Sequence, residues 1–236
     1  MSEKVVKGIH YAILTIIAIA FVLPLVWLIL ASLDTGANAT LKLPDSWTLD
    51  NFVGVLTDKA NLRAFGIGLA IAAIQSLMVV LVSGLAAYPL SRYNLRYKSG
   101  FLYGILFMTA LPMIAVVVPV YKMFSSMGIL DSIPGVILYL TASSLPYGIW
   151  LMKNFMDGVP KELEEAAWVD GATTMQSIRK IVAPLMFPGI CVVFIYTFSG
   201  SWGNFFIPYI LLSSPDKMPA AVQLYQFFGQ HGMISY

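Results

Sequence analysis

The chain is poor in charge. Asp, Glu, Lys and Arg make up 11% of its 236 residues, where ordinary soluble domains carry about 25%. It has one cysteine and two histidines. Cys191 therefore forms no intrachain disulfide, and its place inside an apolar run reads as a small buried hydrophobe. His10 and His231 stand alone, so no pair has metal-ligand spacing. No G-x-x-x-x-G-K-[ST] run offers a phosphate cradle. No Ser/His/Asp set and no paired carboxylates suggest catalysis. The net charge of +2 supplies no basic field for nucleic acid. Internal repeats, low-complexity segments and a second domain are not evident.

Long apolar runs are what the chain has instead. Hydrophobic residues reach 58%, and they come in blocks long enough for a bilayer core, which needs about 20 helical residues. Five blocks are read, at roughly 9–32, 64–90, 101–123, 133–152 and 186–211, and only Lys122 brings a formal charge into any of them. The expected fold is all-α, a polytopic helical membrane protein of one transmembrane domain. The first block follows Lys4 and Lys7, and Ala37-Asn38-Ala39 faintly resembles a cleavage site. At about 24 residues the run exceeds the 7–15 of a signal-peptide core, so it reads as an uncleaved first span.

Basic residues orient the spans, because Lys and Arg accumulate on the cytoplasmic side. Lys4, Lys7, Arg92, Arg96, Lys98, Lys153, Lys161, Arg179 and Lys180 share one side if all five blocks cross. Lys42, Lys59, Arg63, Lys122 and Lys217 share the other, diluted by Asp34, Asp45, Asp50, Asp58, Asp131 and Asp216. Nine against five puts the N-terminus and the loop between spans four and five in the cytoplasm. Residues 212–236 then lie outside, a mixed polar and aromatic stretch ending at Tyr236 with no sixth span.

The cytoplasmic loop, about 157–184, reads as two short helices. Pro160 suits the first turn of the first helix, where its missing N–H costs nothing. Glu162, Glu164 and Glu165 sit near the positive end of that helix dipole. Gly171 adopts a left-handed conformation easily and stops the helix. Thr173-Thr174-Met175-Gln176 fits a capping box for the second helix. Met175, Ile178, Ile181 and Val182 recur at helical spacing and are expected to face the membrane domain. Pro184 and Pro188 start span five. From spacing alone, an amphipathic connector lying on the membrane surface is an equal reading.

The loop also carries Glu165-Ala166-Ala167, then Asp170-Gly171, then Ile181 and Pro184. That run resembles the E-A-A-x3-G-x9-I-x-L-P loop of binding-protein-dependent ABC importer permeases, with Ala183 where the family usually has Leu. Other segments are similar to the same family. They are Ala87-Tyr88-Pro89-Leu90-Ser91-Arg92-Tyr93, Leu111-Pro112, Pro119-Val120-Tyr121, Gly128-Ile129-Leu130-Asp131-Ser132 and Pro146-Tyr147-Gly148-Ile149-Trp150-Leu151. Trp202-Gly203-Asn204-Phe205 stands where the family has W-N-[DE]-[FY], a departure at two positions. The chain most resembles the smaller permease subunit of carbohydrate importers of the maltose-transporter type.

That resemblance implies the type I importer permease fold, with a sixth span expected beyond this chain's C-terminus. It implies a transport subunit with its chemistry elsewhere and no cofactor of its own. An extracytoplasmic binding protein captures substrate, a second permease subunit completes the path, and two cytoplasmic ATPase subunits bind ATP and Mg. Glu165, Ala166, Ala167, Asp170, Gly171, Ile181 and Pro184 would couple to the ATPases. Residues 212–236 would face the binding protein. The setting is a bacterial or archaeal cell membrane and its lipids. Candidates to line the path are Gln75, Tyr196, Ser199, Trp202 and Asn204, with Ser76, Ser83, Thr197 and Ser201 as further polar groups. Each could instead pair with a neighbouring helix. Aromatic and amide groups suit a sugar or oligosaccharide. The alternative function is an ion-coupled secondary transporter, but such proteins use intramembrane carboxylates or histidines, and these span centres carry none. An intramembrane enzyme lacks a catalytic set.

Overall fold

A computed structural model describes residues 3–36 and 43–230, with side chains described for residues 4, 6–36 and 43–225. The Ala37–Ala39 cleavage-like site, Lys42, His231 and Tyr236 lie outside the described residues. The described residues are helical, and their one β-type pairing is an isolated bridge between Asp34 and Trp47. They form two compact units, Met1–Leu62 and Arg63–Tyr236.

The first unit holds α1 (Glu3–Ser32) and α2 (Asp50–Thr57). No residue in the most apolar 18-residue stretch of Val6–Ser32 is buried among the described residues. Beyond it, Thr48 N–H donates to the Leu33 carbonyl at 2.9 Å. Asn51 Nδ2 donates to the carbonyls of Ser32 and Asp34, both at 3.1 Å. These bonds fold the chain back after α1.

The second unit contains nearly all of α3 (Lys59–Arg92), then α4 (Lys98–Thr109), α5 (Met113–Ser126) and α6 (Ile133–Asp157). Next come α7 (Glu162–Val169), α8 (Thr174–Ser177), a π turn at Ile178–Val182 and α9 (Ala183–Leu185). It closes with α10 (Phe187–Trp202), α11 (Phe206–Leu211), a 3-10 turn at Pro215–Lys217 and α12 (Ala220–Gln230). Among the described residues, three helices are long and apolar enough to cross a membrane: Val6–Ser32, Lys59–Arg92 and Ile133–Asp157. The number reaches five if two bent pairs each count as one span.

Those bends are where the structure departs from the sequence reading. The block at 101–123 is two helices meeting at 92°. Pro112 sits at the break with φ −59° and ψ 127°. Proline lacks an N–H to continue α4 and pushes the residue before it out of the helical region. The second bend, 68° between Thr174–Leu185 and Phe187–Trp202, falls at the start of the 186–211 block, and that block is interrupted again after Trp202. Gly203 ends α10, and Asn204 Oδ1 accepts the Ile207 N–H at 3.1 Å ahead of α11, whose N-cap is Phe205.

Two apolar clusters hold the second unit together. One joins Ile71, Val117, Phe124, Val136, Leu140, Ile207 and Leu211. The other joins Val79, Ala87, Met152, Met156, Val182, Met186 and Val193. In lipid, apolar burial alone drives little association, so close packing at small residues carries more weight. Two glycines provide it. A Cβ at Gly148 on α6 would stand 2.8 Å from Val79 Cγ1 on α3. A Cβ at Gly189 on α10 would stand 2.6 Å from Phe155 on α6. Helix α6 is thus pressed against α3 on one side and α10 on the other.

Candidate functional site: a polar-lined cleft and a loop of short helices

Between α3, α6 and α10 lies an open cleft of about 730 Å³. Its lining includes Gln75, Ser143, Ser144, Tyr196, Ser199 and Asn204. Of the five path residues expected from sequence, four meet here. Trp202 does not line it; its ring packs near Phe65 and lies parallel to Phe198. Among the further polar groups, Thr197 and Ser201 line the cleft. Ser76 and Ser83 are buried elsewhere, with their hydroxyls turned to the Ala72 and Val80 carbonyls of their own helix.

Gln75 is fully buried, yet it forms part of the wall. Its Nε2 donates to the Leu140 carbonyl at 3.3 Å and to Ser144 Oγ at 3.1 Å, and Ser76 Oγ donates to its Oε1 at 3.2 Å. The amide therefore ties α3 to α6 at the cleft. Thr197 Oγ1 donates to the Val193 carbonyl at 2.8 Å and is spent on its own helix. Ser201 Oγ is buried and has no protein partner among the described residues. Tyr196 is exposed and packs against Tyr147, with centroids 4.8 Å apart. No described residue lining the cleft is Asp, Glu, Lys or Arg. Ser143 and Ser144 went unnoticed in the sequence, because the Ser pair on α6 gives no sign of which helix face meets α10.

The loop from α7 to α9 is built by local chemistry. Three carboxylates occupy the first turn of α7, where the helix dipole favours them. Pro160 precedes the N-cap Lys161 and lies outside the helix rather than in its first turn. Gly171 has φ +86°. Its N–H donates to the Trp168 carbonyl at 3.0 Å and the Ala172 N–H to the Ala167 carbonyl at 2.9 Å, the paired bonds of a Schellman stop. Thr173 then makes a complete capping box: Gln176 N–H donates to its Oγ1 at 3.3 Å, and its own N–H donates to Gln176 Oε1 at 2.8 Å.

The inward face of the second loop helix differs from expectation. Met175 is exposed; Ser177 and Val182 are buried, with Ile178 and Ile181 half-buried. Ser177, at the end of the short α8, takes the inward position in place of Met175, and the π turn that follows at Ile178–Val182 keeps Ile178, Ile181 and Val182 inward. Pro184 starts α9 and Pro188 starts α10. Glu165, Ala166, Asp170 and Gly171 are all exposed, and Ala167 is half-buried. Exposed Leu163, Trp168, Val169 and Met175 add an apolar character to the outer face of the same loop.

The buried residue of α7 is one that spacing arguments treated only as a dipole partner. Glu164 is 1% exposed. Its Oε1 accepts from Arg92 Nε at 2.5 Å and its Oε2 from the Tyr88 hydroxyl at 2.9 Å. Both donors lie on the last turns of α3. Nothing local marks the pair, which lies 72 residues apart along the chain.

On the opposite side, Asp131 joins the α5–α6 turn to the segment after α11. Its backbone is left-handed, with φ +53°. Its Oδ1 accepts the N–H groups of Ser213 and Ser214, each at 2.9 Å. Its Oδ2 accepts from Ser214 Oγ at 2.5 Å and Lys217 Nζ at 2.8 Å. The Lys217 bond first, then the Ser214 and Ser213 bonds, hold the carboxyl well below the usual carboxylate range.

Residues 80–233 match the model of a family described as binding-protein-dependent transport system inner membrane component. The chain is 30% identical over 228 residues to the sulfoquinovosyl glycerol transport system permease protein SmoH of Agrobacterium fabrum, covering 93% of this chain and 79% of that one. It is 30% identical over 219 residues to the maltodextrin transport system permease protein MdxG of Bacillus subtilis, covering 92% and 79%. In structure it superposes on a chain of a bacterial ABC transporter involved in import of the acidic polysaccharide alginate. That match has a TM-score of 0.85 at 21% identity, covering 100% of this chain and 85% of that chain.

Proposed function

The chain belongs to the family of binding-protein-dependent transport-system inner-membrane components, and from that membership we propose its part in the machine. It is a multi-pass permease subunit of an ABC importer that forms half of the path for a sugar or oligosaccharide. A second permease subunit forms the other half. An extracytoplasmic binding protein delivers the substrate, and residues 212–230 face that protein. Two cytoplasmic ATPase subunits bind ATP and Mg and hydrolyse it. The N-terminus and the loop at 160–184 face the cytoplasm of a bacterial or archaeal cell.

The observation that carries the substrate reading is the cleft. The Ser144 and Ser199 hydroxyls and the Asn204 amide offer hydrogen bonds without charge. Tyr196 offers an exposed ring for an apolar sugar face. Relatives named for sulfoquinovosyl glycerol and maltodextrin agree with a carbohydrate. Coupling is assigned to Glu165, Ala166, Ala167, Asp170, Gly171, Ile181 and Pro184. Ala166 and Ala167 are small enough for close approach, and the Schellman stop at Gly171 aims α7 sharply. No finding favours the ion-coupled alternative.

Purification of the full complex in mild detergent tests this reading, with identification of the co-purifying proteins and of the binding protein's ligand. The expected result is a second permease, an ATPase and a binding protein loaded with a carbohydrate. A chain that purifies without an ATPase, with uptake that follows an ion gradient in place of ATP, overturns it.

A further inference from the structure

Three helices end near one point in the second unit: the last turns of α3 and α6 and the first turn of α7. A polar network joins them. Arg92 Nε reaches Glu164 on α7, while Arg92 Nη1 donates to the Met156 carbonyl on α6 at 3.2 Å and to Ser91 Oγ at 3.4 Å. Ser91 Oγ in turn donates to Asp157 Oδ1 at 2.6 Å, and Lys153 pairs with the other oxygen of Asp157. The side chains of Arg92 and Glu164 are 6% and 1% exposed. Tyr88 completes the carboxylate's shell.

We propose that Arg92 is a positioning residue that locks the loop helix α7 to α3 and α6, so that a push on the loop moves the spans and not the loop alone. This rests on the reading of the loop as the ATPase-facing element. Stability alone is a poor account of the pair. A buried ion pair often contributes no more than apolar residues of the same volume. Here Arg92 Nη2 is buried without a partner among the described residues, an arrangement that sacrifices a hydrogen bond. The geometry delivers direction instead. A guanidinium presents its donors in a fixed planar fork, and this one holds a carboxylate from α7 through Nε and a carbonyl from α6 through Nη1. Glu164 is the one buried residue of α7 among the described residues.

The test uses spin labels at Leu85→Cys on α3 and Val169→Cys on α7, both exposed in this structure, with Cys191 replaced by Ala. Their distance distribution is measured in the assembled complex carrying Glu164→Gln, Arg92→Lys or the double apolar change Arg92→Met with Glu164→Leu. The unmodified pair should give one narrow distance. Glu164→Gln and Arg92→Lys should broaden it, and the double change should restore thermal stability while leaving the distance broad. Uptake per ATP hydrolysed should fall by about 2- to 30-fold, the range over which single substitutions alter coupling between sites. Arg92→Lys serves if Glu164→Gln fails to fold, because it keeps the charge and removes only the fork. A distribution as narrow in all variants as in the unmodified chain overturns the proposal. A broadened distribution with uptake and ATP hydrolysis still coupled supports the lock and overturns the ATPase-facing reading of the loop.

Discussion

Phe155 on α6 lies against the bare backbone of Gly189 on α10, so close that a Cβ at Gly189 would stand 2.6 Å from both its Cβ and Cγ. The contact involves the stiff root of the side chain, which cannot swing aside. Gly189→Ala should therefore cost about 1–3 kcal/mol through overpacking. Gly84→Ala on α3, where nothing lies within 4 Å, should be neutral or stabilising by up to about 1 kcal/mol from helix propensity. Thermal unfolding of the two variants in detergent checks the pair. Equal midpoints would show that α6 and α10 separate freely here.

Coupling should depend on the exposed surface of α7. Gly171→Val forces a β-branched residue into a backbone at φ +86°, at a cost of order 1–2 kcal/mol, and turns the helix stop aside. Ala166→Trp places bulk on the docking face. Each should abolish uptake and uncouple ATP hydrolysis from substrate delivery, while membrane insertion stays intact. Uptake and ATPase rate in reconstituted complex are the readouts. Transport at the unmodified rate in both variants would remove the loop from the coupling path.

Topology is checked at a neighbouring position. Asp170→Cys should react with a membrane-impermeant thiol reagent only from the cytoplasmic side, with Cys191 replaced by Ala. Reaction only from outside would reverse the assigned orientation.

The Asp131 clamp should be insensitive to mild acid. Its folded-state carboxyl lies below the ordinary value of about 3.9 because the clamp favours the charged form. A depressed carboxyl contributes its stability in full above the ordinary value and loses it only as pH falls through the lower folded one. Hydrogen exchange across 211–218, corrected for intrinsic rate, should match at pH 5 and pH 7.5. Asp131→Asn should raise exchange at both, since it removes the carboxylate that pairs with Lys217 and leaves only the backbone carbonyl to it. A clamp that loosens between those two pH values would contradict the assignment.

In the cleft, Tyr196→Ala should slow substrate uptake by about 2- to 13-fold, the worth of one aromatic contact, with complex assembly unchanged. Gln75→Leu should do more, because it also leaves Ser144 and the Leu140 carbonyl without their donor. Uptake of the identified substrate at saturating binding protein measures both. A Tyr196→Ala complex that transports normally would take that ring out of the path.

The features legible in the sequence are those that a few neighbouring residues decide. Apolar runs of membrane length follow from composition alone, because a bilayer core tolerates few charges. The stop at Gly171 and the capping box at Thr173 and Gln176 close bonds within three to five residues, so their residue types suffice. Only the tertiary structure decided which polar groups meet. Gln75 finds Ser144 across 69 residues and Glu164 finds Arg92 across 72, and no local spacing carries that information. It also decided where regular periodicity fails: the 92° bend at Pro112 splits one apolar run into two helices. In α8, just before the π turn at Ile178–Val182, Met175 lies outward and Ser177 inward. A hydrophobic pattern assumes a constant turn per residue, and where packing bends or widens the helix, the face a residue presents belongs to the fold.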